Sequence, residues 1–160
     1  VKSPNNSAEQ ITLAANTLNT SVDYISIVNG ATNSASAPVV TKPITGVALR
    51  PYAPADIKLI ALSNGDLQIT WKRRTRYNGE IWNNSGIVPL NEASESYLVN
   101  VAGLITNATS PSPSVLITAA TLAAAGTTNT ASRTVTIAQV SALYGAGTPA
   151  TYTGVPQLAQ

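Results

Sequence analysis

The chain has 160 residues, a net charge of +2 and only 10% charged residues, with no Cys, His, Met or Phe. Zero Cys excludes disulfides and thiolate chemistry. Zero His excludes Ser-His-Asp and Cys-His triads and every His-based zinc site within this chain.

So small a net charge gives no broad electrostatic footprint for nucleic acid. No apolar run approaches the roughly 20 residues of a membrane span. With Val at position 1 and no Met, the sequence reads as a processed chain or the ordered part of a longer one. Its N-terminal VKSPNNSAEQ has no apolar signal-peptide core. Low charge with abundant Thr and Val suits an all-β protein whose wet face uses hydroxyls.

Residues 1–50 predict little core. Residues 11–13 read as a short strand, and 22–28 (VDYISIV) as a better one, closed by Asn29-Gly30. A small-residue linker, ATNSASAP, comes next. Then come Pro38, Pro43, Pro51 and Pro54, a density that favours an extended connection over helix or central strand. The boundary falls near Arg50. Residues 1–50 are an extended or partly β arm, a linker or the end of a preceding domain; residues 51–160 are the main domain.

From Pro51 the strands are regularly spaced. Residues 57–62 and 67–73 form a hairpin whose Asn64-Gly65 predicts a type I′ turn, with positive φ at both central residues. Leu67, Ile69 and Trp71 share one face of the second strand. A long Asn- and Gly-rich connection carries Tyr77 and Trp82. Residues 97–101 place Tyr97, Val99 and Val101 on one face. Residues 104–109 read as an edge strand, and 115–118 as strand again. Residues 119–125 read as a turn or one helical turn, because the Ala run is short and meets Gly126. Residues 133–140 alternate Val135, Ile137 and Gln139 against Thr134, Thr136 and Ala138. A loop with two glycines leads to a final strand at 152–155. About seven short strands with turn signals at every break predict an all-β, fibronectin type III-like (immunoglobulin-like) Greek-key sandwich. The predicted core is Leu67, Ile69, Trp71, Tyr97, Val99, Val135 and Ile137.

The stretches LRPYAPADIKL, SNGDLQITWKRRTR, IVPLNEASESYLVNV and RTVTIAQVSALYGAG, in that order, resemble the C-terminal fibronectin-like domain of phage tail hub or host-specificity proteins. The same module occurs in gene transfer agents. The resemblance spans residues 49–160. It rests on Leu49-Arg50-Pro51, Gly65-Asp66-Leu67 with Trp71 to Arg76, Trp82, Pro89-Leu90, Glu95 and Tyr97-Leu98-Val99. Ala55-Asp56 stands where the family often has Val-His, and Asn91 where it has Gly, departures expected to touch loops only. The resemblance implies a structural module of the virion tail tip, partnered with other tail proteins in a homotrimeric setting, with a host-surface receptor or glycan as a further partner. It implies no enzyme and no cofactor. The alternative is a carbohydrate-binding or spacer module of a secreted enzyme.

The candidate contact residues are Trp82, Arg74, Arg76 and Tyr77. The cationic run 72–76 reads either as an anion or polysaccharide contact or as a solvated strand end whose arginines pair with Glu80, Glu92 or Glu95 or lie over a Trp. Alternation sets Arg73 apart from Lys72, Arg74 and Arg76, so all four share a site only if the strand bulges or ends early. Trp82 reads either as a loop anchor for sugar or protein or as a lid on the sandwich edge. Glu92 and Glu95 form the closest carboxylate pair. A glycosidase needs two carboxylates across a cleft, which a small sandwich does not predict.

Overall fold

A computed structural model of the chain describes residues 18–25, 39–76 and 88–159. The chain divides into two compact units, Val1–Ala48 and Leu49–Gln160.

In the first unit, β1 (Ser21–Ile25) and β2 (Val39–Pro43) pair antiparallel, with Ser21 opposite Pro43 and Ile25 opposite Val39. Thr41 Oγ1 donates to Asp23 Oδ1 at 2.5 Å across the ribbon. Every side chain of β2 is exposed. The proline-rich stretch therefore contributes a paired strand and not only an extended connection. Both strands of a two-stranded ribbon are edges, so a terminal Pro43 is tolerated. The strand read at residues 11–13 lies outside the described residues.

The second unit begins with β3 (Ala55–Ala61) and β4 (Leu67–Lys72), followed by β5 (Tyr97–Val101), β6 (Ile105–Ser110) and β7 (Ser114–Ile117). A six-residue helix, α1 (Ala119–Ala124), precedes β8 (Arg133–Ser141), β9 (Gly145–Ala146), β10 (Ala150–Gly154) and β11 (Gln157–Leu158). One sheet has the order β11-β3-β4-β7. The other has the order β10-β8-β5-β6, with β9 also paired to β8. The inner faces supply one core: Leu59, Leu67, Ile69, Trp71 and Ile117 from the first sheet, Tyr97, Val99, Val101, Val135 and Ile137 from the second, and Leu122 of α1. Trp71 and Tyr97 meet edge to face, ring centroids 5.1 Å apart. That geometry sets the positive edge of one ring against the negative face of the other.

The β3–β4 turn differs from the type I′ expectation. Gly65 has φ +89 while Asn64 is not left-handed. Gly65 N donates to Leu62 O at 3.0 Å, and Leu62 N to Asp66 O at 2.9 Å. These bonds close a three-residue loop, a type I turn followed by a left-handed glycine. The cause is Asn64, whose side chain is used locally. Its Nδ2 donates to Asp66 Oδ2 at 2.8 Å and its Oδ1 accepts from Asp66 N at 3.1 Å. Asp66 Oδ1 in turn accepts from Ala119 N at 2.7 Å. The Asn129 amide donates to Leu62 O and Asp66 O at 2.9 and 3.0 Å.

The Ala-rich run makes a longer helix than a single turn. Thr118 caps it by accepting from Thr121 N, Leu122 anchors it in the core, and left-handed Gly126 ends it. Asp56 lies within β3 and not in a loop. It has φ +53 at a bulge where the register shifts between Ala55 and Lys58. Asn91 has φ +53, a conformation Asn tolerates and Gly adopts freely.

Candidate contact site at one end of the sandwich

Antiparallel pairing brings four chain segments to one end. β4 rises to Lys72 and β5 starts at Tyr97, so the 73–96 connection leaves and returns there. β8 rises beside β5 and hands over to the 142–149 segment at the same end. The lead-in 50–54 to β3 joins them, because β3 runs opposite to β4. Thr148 N donates to Pro51 O at 3.2 Å. A Cβ on Gly147 would fall 2.3 Å from Pro51 O, so only glycine allows the two segments this close.

Two arginines brace the end from inside. Arg73 Nη1 donates to Glu95 Oε1 at 2.9 Å, and its Nε donates to Val88 O at 2.7 Å. The Tyr97 hydroxyl donates to the same Glu95 oxygen at 2.7 Å. Burial, then the hydrogen bond to and charge of Glu95, hold the Tyr97 hydroxyl well above the ordinary tyrosine range. Arg76 Nη2 donates to Glu92 Oε1 at 2.6 Å, with those side chains only 10% and 7% exposed. The Arg76 guanidinium also stacks over Tyr144 at 5.6 Å from the ring centroid. Asn91 Nδ2 donates to Thr75 Oγ1.

Outside these braces the surface differs. Arg74 lies over the exposed Tyr52 ring at 5.5 Å. Lys72 and Lys58 both reach Asp56 Oδ2, at 2.9 and 3.6 Å. The hydrogen bond from Lys72 holds the Asp56 carboxyl below its usual range. Leu143, 72% exposed, forms the tip of the turn between β8 and β9.

The cationic run 72–76 thus separates by role. Strand β4 ends at Lys72, so alternation no longer governs residues 73–76. Arg73 and Arg76 turn inward to carboxylates, and the geometry removes Arg76 from the surface on which it was expected. Arg74 remains exposed. Tyr77 and Trp82 lie outside the described residues. Leu67, Ile69, Trp71, Tyr97, Val99, Val135 and Ile137 are all buried, as are Gln139 and Ser141 on the same strand as Val135. Sequence reasoning missed Tyr52, Asp56, Lys58 and Tyr144. Lys58 stands opposite Thr70 in the regular register counted from the turn, but the bulge between Ala55 and Lys58 brings Ala55 opposite Lys72, which a residue-by-residue count does not yield. The isolated Tyr144 between turn residues was the available signal for the brace.

Among the described residues no three acidic side chains converge to hold a metal, and no helix is long and apolar enough to cross a membrane. The arrangement offers cations, hydroxyls and exposed apolar side chains.

Strand order, the two buried faces and the crossing connections define a fibronectin type III-like β-sandwich, all-β apart from α1. No family model matches the sequence, and no curated protein matches it. Similar solved structures include the following three. Domains d3-d4 of the rat CD45 extracellular region match at 13% identity and TM-score 0.45, over 94% of this chain and 69% of that one. The FN5 domain of Drosophila Lar matches at 15% and 0.37, over 66% and 96%. Domains A168-A170 of titin match at 10% and 0.42, over 74% and 36%.

Proposed function

We propose that the chain is a structural and binding module of a phage tail tip, part of a hub or host-specificity protein. In this reading the sandwich is a rigid spacer and its loop end makes the contacts. The observation that carries it is the division of labour at that end. Arg73–Glu95 and Arg76–Glu92 fix the two loops from within, while Leu143, Tyr52 and Arg74 remain outward. A spacer that must present loops in a fixed pose needs such bracing. The ordered resemblance over residues 49–160 supplies the tail context. Its partners are then other virion tail proteins, in a homotrimer, and a host-surface receptor or glycan.

Electron cryomicroscopy of particles carrying a small epitope tag after residue 159 tests the reading. Three tags at the tail tip are expected. Tags on the capsid shell, or the chain recovered as part of a secreted enzyme, would overturn it.

A further inference from the structure

The outer surface around β3 and β4 carries more exposed cations than acids. Residues 49–160 hold seven Lys and Arg and five Asp and Glu. Arg73 and Arg76 are held by Glu95 and Glu92. Arg133 donates to Thr127 Oγ1 and Thr128 O, behind the opposite end. Asp66 is engaged at the start of α1. Arg50 is half-buried and Glu80 lies outside the described residues, so the exposed cations around β3 and β4 are Lys58, Lys72 and Arg74, with Asp56 paired to the two lysines.

We infer that this face, centred on Lys58 and Lys72 with the exposed Arg74 just beyond the end of β4, is a docking site for an anionic polysaccharide bearing sulfate, phosphate or uronate groups. The inference goes beyond the tail-tip reading and does not depend on it. Lys72 sits at the end of β4 on the side opposite buried Trp71, and its side chain is 73% exposed. Lys58 faces the same side, since buried Leu59 is its neighbour in the strand. In register with Lys58 stand Thr70 and then Ser114, hydroxyls that can bond sugar hydroxyls between the charged contacts. The surface is a sheet face and not a pocket, which suits a chain ligand laid along a row of cations.

Charge complementarity selects an anion. The flanking hydroxyls select a saccharide over an acidic protein, whose interface would need a desolvated aromatic or apolar centre. The aromatic here, Tyr52, already carries Arg74 over its ring.

The whole 160-residue chain is titrated with dextran sulfate, neutral dextran and polyglutamate at low and physiological salt. Dextran sulfate should bind, more weakly as salt rises, and neutral dextran should not. The double variant Lys72→Ala/Arg74→Ala should weaken dextran sulfate binding about tenfold. Asn107→Asp/Thr109→Glu lowers the net charge by the same two units on the exposed edge strand of the opposite sheet and should change it less than about twofold. Asp56→Asn keeps a residue that tolerates positive φ and should tighten binding about threefold, because both lysines lose an internal competitor. Equal losses from the two double variants, weaker binding by Asp56→Asn, or tighter binding of polyglutamate than of dextran sulfate would each overturn the inference.

Discussion

Tyr97 links the core to the loop end through one hydroxyl. Its ring packs against Trp71, and its oxygen donates to the carboxylate that holds Arg73. The folded pKa lies above the ordinary 10.0, so the native state binds this proton more tightly than the unfolded chain does. The stabilisation is therefore complete below about pH 10 and is lost as pH rises beyond it. Wild-type stability should fall above pH 10 more steeply than that of Tyr97→Phe, by up to about 1.4 kcal/mol per pH unit. Urea titrations from pH 8 to 11 measure this; parallel slopes for the two proteins would refute it. Trp71→Ala removes the larger partner of the ring pair from a site only 4% exposed. It should cost about 3–5 kcal/mol, read as a lower urea midpoint, and a loss below about 1 kcal/mol would place Trp71 outside the core's energetics.

The β3–β4 hairpin shows at the scale of an element where sequence reading succeeds and where it stops. Its strands and its buried face were legible because Leu67, Ile69 and Trp71 alternate without interruption. The turn type was not, because Asn64 and Asp66 bond each other instead of leaving Asn64 left-handed. Residue 129, distant in sequence, completes the closure. Asn129→Ala would leave Leu62 O and Asp66 O without its amide and should cost about 1–3 kcal/mol. Gly65→Ala meets two obstacles, φ +89 and a Cβ placed 3.1 Å from Ala119 Cβ, and should cost about 1–3 kcal/mol. Thermal unfolding of each variant decides; wild-type melting in either would mean that the turn is not fixed as described. The bulge at Asp56 was illegible for a similar reason. It is defined by a register shift between strands, and no local signature marks it.

For the whole molecule, the candidate site was half legible. Sequence placed the cations, but which of them pair is set by a return of the chain some 16 to 22 residues later, where Glu92 and Glu95 meet Arg76 and Arg73. Their convergence arises from the sandwich, since β5 must start where β4 ends. The two units also differ in what can hold them folded. The described part of residues 49–160 encloses a continuous core that includes eleven buried apolar side chains contributed by both sheets and α1. The described part of residues 1–48 is a two-stranded ribbon with one strand wholly exposed, and such a ribbon alone is marginal in water. An isolated fragment 49–160 should therefore unfold in a single cooperative urea transition, with coincident near- and far-ultraviolet circular dichroism. An isolated fragment 1–48 should show no cooperative transition. If 49–160 lost cooperativity while the full chain kept it, the sandwich core would be insufficient by itself, and the energetic boundary would not lie at Leu49.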